Sequence, residues 1–258
     1  MNQKEVIPKL IILGAGPGDP ELITIKGLKA LQQADVILYD ALASEELLAY
    51  APSSCKLVNV GKRKGKHSFP QEEINQLIIF YAYRYGTVVR LKGGDPYVFG
   101  RGHEELQYAE KRGLEVHVIP GISSALAGPA SVGIPLTKRG INESFWVITG
   151  TLSSGEISND ITLAAQSSAT IVILMGMSNL KTICDIFSSA RGGLESAAII
   201  QNATRSDQKV VISNITSLCR AAEENEMGAP AIIVIGKVVD EATVDSVSQL
   251  HNVSSAIV

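Results

Sequence analysis

Cysteine is scarce in this chain. Cys55, Cys184 and Cys219 are three among 258 residues, odd in number, far apart and never C-x-x-C. That pattern speaks against a disulfide framework and a thiolate zinc site, and it fits a reducing compartment, the cytoplasm. The four histidines have no ligand spacing: HEEL at His103 is not H-E-x-x-H, so no metal is expected. G-x-S-x-G and G-K-[ST] are absent, which removes the usual nucleophile elbow and the P-loop. Long apolar runs are missing too: LIIL at 10–13 and AIIVI at 231–235 are far too short to cross a bilayer. The opening MNQKEVIPKL carries no apolar signal core, so export is not expected. Seven Tyr, five Phe and one Trp make no RNA-stacking platform, and a net charge of −3 gives no reason to propose nucleic acid.

What the chain does have is apolar content and a lopsided charge. Hydrophobic residues make up 45%, enough for one large buried domain or two ordinary ones. Residues 60–101 hold eight cations (Lys62, Arg63, Lys64, Lys66, Arg84, Arg90, Lys92, Arg101) and three anions (Glu72, Glu73, Asp95). The segment is therefore +5 and the remainder −8. A basic block in an acidic protein suits a polyanionic ligand met at one place; a solvated basic surface is the plainer alternative.

Ten short runs read as strands: Leu10–Leu13, Val36–Tyr39, Leu57–Val60, Thr87–Leu91 and Val116–Ile119, then Phe145–Thr149, Thr170–Met175, Ala197–Ile200, Lys209–Ile212 and Ala231–Ile235. Most are continuous rather than alternating, as when helices cover both faces of a sheet. Between them lie stripes at helical spacing, Leu22/Ile25/Leu28/Leu31 and Ile74/Leu77/Ile78/Tyr81. Asp19-Pro20-Glu21 reads as a helix start and Ser68-Phe69-Pro70-Gln71 as a capping box. The class is α/β. The strands fall into two sets of five parted near residues 137–143, which predicts an N-terminal α/β domain over 1–138 and a C-terminal one over 139–258; one continuous sheet is the alternative.

Four strand-following loops stand out. GAGPGDP (14–20) sits where a dinucleotide turn would, but Asp19 stands where the Rossmann fingerprint needs glycine, and Pro17 removes a backbone donor. LKGGDPYVFGRG (91–102) pairs glycines that allow close backbone approach with Asp95, an acceptor for an amine or a ribose hydroxyl; a tight turn is its plain reading. GKRKGKHS (61–68) puts four cations in six positions, suited to carboxylates. The small residues of 120–135 permit either tight helix–sheet packing or a ligand at a helix start.

Taken in order, GAGPGDPELITIKGLKALQQADVILYDAL, VGKRKGKHSFPQEEIN, VVRLKGGDPYVFGRGHEE and VIPGISSALAGPASVGIPLTKR closely resemble the uroporphyrinogen-III C-methyltransferases of the tetrapyrrole methylase superfamily. TIVILMGM, QNATRSDQ and PAIIVIGKVV extend the resemblance to residues 8–240, in a form without a dehydrogenase/chelatase domain. The resemblance implies two αβα domains with mixed, mostly parallel sheets, S-adenosylmethionine in a cleft between them, no metal, and a homodimer. It implies methylation of two rings of uroporphyrinogen III to precorrin-2, for sirohaem or cobalamin synthesis. Such a substrate carries eight carboxylates, which would match the basic block, and a donor without pyrophosphate would account for the failed Rossmann match. Later corrin precursors, a non-catalytic donor-binding module and a nucleotide-dependent oxidoreductase are the rival readings, the last disfavoured by Pro17 and Asp19.

Carried over by position, the resemblance assigns donor contacts to Pro17, Gly93, Gly94, Asp95, Val98, Ser123, Ser124, Met175 and Ala203. It makes Asp40 the proton acceptor and Lys62 the proton donor, with Arg63, His67 and Arg101 expected on substrate carboxylates. The chain departs from the family pattern at Leu174 (usually Tyr), Ala203 (often Gly), Ser123-Ser124 (a Thr-containing pair), His103 (Gly), and Lys138 and Gly140 (His and Asp).

Overall fold

Strands form where the apolar runs lie, and each of the ten is found within two residues of its expected ends. A computed structural model describes residues 7–61 and 69–243. The chain divides into two compact units, 1–124 and 125–258.

The first unit is built on β1 (Lys9–Gly14), β2 (Val36–Tyr39), β3 (Lys56–Asn59), β4 (Thr87–Lys92) and β5 (Glu115–Ile119). They make a wholly parallel sheet in the order β3-β2-β4-β1-β5. Side chains alternate across it. Leu10, Ile12, Val36, Leu38 and Val88 face one way, packing with Ile74 and Ile78 of α2 (Gln71–Tyr85) and Ala109 of α3 (Gly102–Glu110). Leu13, Ile37, Val89 and Leu91 face the other, against Leu31 of α1 (Ile25–Leu31) and Leu47 of the 3₁₀ segment Glu45–Tyr50. The same alternation sends Arg90 and Lys92 to the face of Val88, where α3 waits.

The second unit holds α4 (Ser124–Ala130, entered from the last residue of the first unit), β6 (Phe145–Thr149), α5 (Asp160–Ala165), β7 (Thr170–Leu174), α6 (Leu180–Arg191), β8 (Ser196–Gln201), β9 (Lys209–Asn214), α7 (Ile215–Glu224) and β10 (Ala231–Ile235). Its sheet runs β6-β7-β10-β8-β9 and is mixed: β6 and β7 are parallel, whereas β10 is antiparallel to both neighbours and β8–β9 is an antiparallel hairpin. Phe187, Ile171, Ile173, Ile199 and Ile233 form the core beneath α5–α7. Val172, Ala198, Ile200, Ile232 and Val234 pack on the opposite face with Ala125, Val132 and Ile134.

That second cluster explains why the units part after Ser124 and not near 138: Ala125, Val132, Ile134 and the partly buried Leu136 and Ile141 lie in the core of the second sheet. The helix after β1 also differs from its expected form. Asp19 caps only one 3₁₀ turn, accepting from Glu21 N at 2.8 Å. The helix proper starts five residues later, where Thr24 Oγ1 accepts from Gly27 N at 3.0 Å. Ile25, expected on the buried stripe, is therefore exposed, whereas Leu31 is buried as expected, together with Gly27 and Ala30. At α2 the N-cap is Pro70 with no side-chain cap bond; Ser68 lies outside the described residues.

Candidate active site

Parallel strands point their carboxyl ends at one edge of a sheet, and in α/β folds ligands gather there. In the first unit that edge brings three loops into backbone contact. Ala15 N donates to Lys92 O at 2.7 Å, and Gly16 and Gly94 exchange a pair of hydrogen bonds, Gly94 N to Gly16 O at 2.7 Å and Gly16 N to Gly94 O at 3.3 Å. The third loop, after β5, is tied in by Asp95, whose Oδ2 accepts from Gly121 N at 3.1 Å while Oδ1 accepts from Tyr97 N at 2.8 Å.

Glycine is demanded here by space. A Cβ on Gly14 would lie 2.4 Å from Gly121 N, and one on Gly93 would lie 2.5 Å from Leu42 Cβ. Gly94 differs: φ is +65°, and the nearest atoms to a Cβ there, Ser124 N and Ser123 Cα, are 3.8 and 3.9 Å away. The backbone is thus bare and approachable at Gly94 while its neighbours are closed. A flat nucleoside fits such a cradle better than a pyrophosphate does, because Asp95 already consumes Gly121 N–H and Pro17 has none to give. The structure therefore brings Pro17, Gly93, Gly94, Asp95, Ser123 and Ser124 to one edge of the first sheet. Val98 is exposed farther along the β4–α3 connection.

Met175 and Ala203 belong to the second unit. They follow the carboxyl ends of β7 and β8, which lie on one edge of that sheet with the start of β10 between them, since Ile232 pairs with both Leu174 and Ile200. Met175 has φ +55° and is half exposed. Ala203 is buried between two residues in the left-handed region, Asn202 (φ +50°) and Thr204 (φ +67°). Lys138, one of the departures from the family pattern, pairs with Glu241.

Asp40 follows β2, next to β4 in the sheet. Its Oδ1 accepts from Leu42 N at 3.1 Å, and Oδ2 lies 3.3 Å from Arg90 Nη2. Leu42 is the residue that abuts Gly93, so the Asp40 turn and the GGDP loop are in contact. Arg101 starts α3 with φ +57° and is exposed; it holds Glu104 in a two-point pair, Nε–Oε1 2.9 Å and Nη2–Oε2 2.6 Å. That hydrogen bonding raises the guanidinium of Arg101 and lowers the carboxyl of Glu104 from their ordinary ranges. Lys62, Arg63 and His67 lie outside the described residues.

Sequence reasoning missed the ion cluster beneath Asp40. Arg90 and Lys92 counted there as part of one basic surface, yet both are buried. Arg90 Nε and Lys92 Nζ lie 3.2 and 3.0 Å from the same oxygen, Glu105 Oε1, and Gln71 Nε2 donates to it at 3.0 Å. Arg90 Nη1 also donates to Leu91 O at 2.9 Å. Burial, and then the positive charge of Arg90, pushes the Lys92 ammonium below its ordinary range, opposed by Glu105. A signal existed: Glu105 shares the spacing of Gly102 and Ala109, the buried stripe of α3. No group of three or more His, Cys, Asp or Glu able to hold a metal occurs among the described residues.

Residues 9–219 match the family of Tetrapyrrole (Corrin/Porphyrin) Methylases. The chain is 46% identical over 234 residues to the uroporphyrinogen-III C-methyltransferase of Methanocaldococcus jannaschii, covering 90% of this chain and 97% of that one. It is 41% identical to the S-adenosyl-L-methionine-dependent uroporphyrinogen III methyltransferase of Methanosarcina barkeri, covering 90% and 92%. Among solved structures it resembles the uroporphyrin-III C-methyl transferase of Thermus thermophilus complexed with S-adenyl homocysteine, at 36% identity and a TM-score of 0.77, with 90% and 99% covered.

Proposed function

The chain belongs to the tetrapyrrole (corrin/porphyrin) methylases, and from that premise we propose that it moves methyl groups from S-adenosylmethionine to two rings of uroporphyrinogen III. The product is precorrin-2, reached through precorrin-1, for sirohaem or cobalamin synthesis, and the working form is a homodimer. One observation carries the reading to this chain's own residues: the bare backbone at Gly94 follows Gly93, which abuts Leu42 of the turn whose Asp40 is paired with a buried arginine.

When bound, the donor supplies an electrophilic sulfonium methyl. Gly93, Gly94, Asp95 and Ser123–Ser124 would hold its nucleoside, with Pro17 and Val98 at the margin; the resemblance also assigns Met175 and Ala203 to it. The protein's main contribution is alignment, bringing pyrrole carbon and methyl within roughly 3–3.5 Å of each other. Because the transfer would only move positive charge from one bound molecule to the other, the residues at this edge would need no strong anion trap. Asp40 then takes the one proton that each added methyl cation must displace, which leaves the ring system at its original charge; Lys62, assigned as proton donor, acts in a tautomer shift in which the proton it gives is matched by a further one withdrawn. Arg63, His67 and Arg101 meet the carboxylates of the macrocycle. Arg101 does so in competition with Glu104, which already occupies its fork.

The test is anaerobic incubation of the pure protein with methyl-labelled donor and freshly made uroporphyrinogen III. Two labels in precorrin-2 are expected. Donor binding without transfer would make this a non-catalytic module, and transfer to a later corrin precursor alone would move the substrate assignment. Asp40→Asn should lower turnover by about 100-fold or more while sparing donor affinity, a loss typical of a missing general base.

A further inference from the structure

The cluster under Asp40 is asymmetric. Glu105 is buried on α3 and takes three donors on one oxygen, Oε1, from Gln71, Arg90 and Lys92. Its other oxygen, Oε2, is buried and has no hydrogen-bond partner among the described residues. A carboxylate gathered in this way is fixed by its cations and fixes them in turn. Arg90 is the link: Nε goes to Glu105, Nη1 to the carbonyls of Leu38 and Leu91, and only Nη2 is left for Asp40. The charged groups that the described structure brings to Asp40 are Arg90 and Lys92 on β4 and, behind them, Glu105 on α3.

We infer that Glu105 is a positioning residue for Asp40: by holding one edge of the Arg90 guanidinium, it limits Arg90 to a single contact with Asp40 and leaves that carboxylate for the substrate's proton. The inference rests on the reading of Asp40 as the base. Its physical content is a sharing of one cation between two carboxylates. With Glu105 present, Arg90 divides its charge between two carboxylates; with Glu105 made a neutral amide, whose oxygen still accepts from Nε but carries no charge, more of the cation's attraction falls to Asp40. Asp40 then holds its negative charge more tightly and becomes a poorer acceptor. Lys92 is the counter-charge that lets a shared carboxylate survive burial beside Arg90, since a buried cation losing its partner is costly.

The experiment is a carbon-13 NMR titration of the Asp40 carboxyl in protein labelled at aspartate, with the resonance assigned by its disappearance in Asp40→Asn. Glu105→Gln should move the Asp40 midpoint to lower pH by about one unit. Glu105→Asp, which keeps the charge, should stay close to the starting protein. The double variant Lys92→Met/Glu105→Gln removes one charge of each sign. It keeps the cluster neutral and foldable even if the single variant unfolds, and should still shift the midpoint downward by about half a unit, because the rival carboxylate's pull on Arg90 is lost in it as well. Turnover in Glu105→Gln and in the double variant should drop about tenfold, with the KM for donor and for macrocycle retained. No shift in either variant overturns the inference, and so does a shift in Glu105→Gln alone, which would make Glu105 a distant charge and not a hold on Arg90. If Asp40→Asn keeps full turnover while the titration behaves as expected, it is the assignment of Asp40 as base that fails, and the carboxyl titration tells the two failures apart.

Discussion

A methyl group added at Gly121 would lie 2.3 Å from the carbonyl oxygen of Gly94 and 2.8 Å from Gly14 Cα, so backbone must move to admit it. Gly121→Ala is therefore expected to destabilise by about 1–3 kcal/mol, the usual range for overpacking. It should also weaken donor binding, because the atom displaced belongs to the Gly94 cradle. Gly228 is the control: nothing lies within 4 Å of a Cβ there, and its N–H to Gln201 Oε1 survives the change. Gly228→Ala should stay within about 0.5 kcal/mol, and urea unfolding with calorimetric titration of the donor reads both. Cysteine chemistry is a second prediction at this scale. Burial, and then the neighbouring Cys219, pushes the Cys184 thiol up to about 12. At pH 8 only about one molecule in ten thousand carries that thiolate, so Cys184 should resist iodoacetamide in the native protein and react once it is unfolded. The sign for stability follows: a thiol whose folded value is raised adds stability below its unfolded value of 9.0, and that contribution is lost as pH climbs toward 12.

Elements carry their own instructions to different degrees. Helix α7 begins at Asn214, whose Oδ1 accepts from Ser217 N at 3.0 Å. Asn214→Ala should cost about 1 kcal/mol and Asn214→Asp almost nothing, as read by thermal unfolding. Strands were legible because β-branched runs such as TVVRLK and AIIVI leave no helical alternative of comparable length. Their direction was not. β10 is apolar on both faces whether its neighbours run with it or against it, so nothing in AIIVI distinguishes an antiparallel insertion from a parallel one. The start of α1 was misplaced because Asp19-Pro20-Glu21 satisfies every local rule for a helix and is used for a single 3₁₀ turn. Only the positions buried by the neighbouring sheet, Gly27, Ala30 and Leu31, decide where the longer helix lies.

Over the whole molecule, charge is the property most easily misjudged from the sequence. Four of the eight cations of the basic block are among the described residues, and they do three different jobs. Arg90 and Lys92 neutralise Glu105 internally, Arg101 pairs with Glu104, and Arg84 lies over the rings of Phe80 and Tyr85. Composition reports how many charges there are, whereas burial decides which of them a ligand can meet. The glycine loops were legible because their spacing after strands mirrors a constraint on the backbone itself; Glu105 was not, because its pairing with β4 and α2, the two elements before its own helix, depends on which faces the fold turns toward one another. For the macrocycle, raising salt from 50 to 500 mM should increase KM several-fold, since exposed cations are screened within a few ångströms at the higher concentration. The KM for the donor should change little, and steady-state kinetics at the two concentrations measures both.

The last strand in chain order, β10, lies at the centre of the second sheet, bonded to β7 on one side and β8 on the other. On the ribosome, the five strands of the first unit are all made by residue 119, but the second sheet stays cleft down the middle until residues 231–235 emerge. Until then β7 and β8 each present an open, isoleucine-rich margin to the cell, which makes this half of the nascent chain the natural client of chaperones.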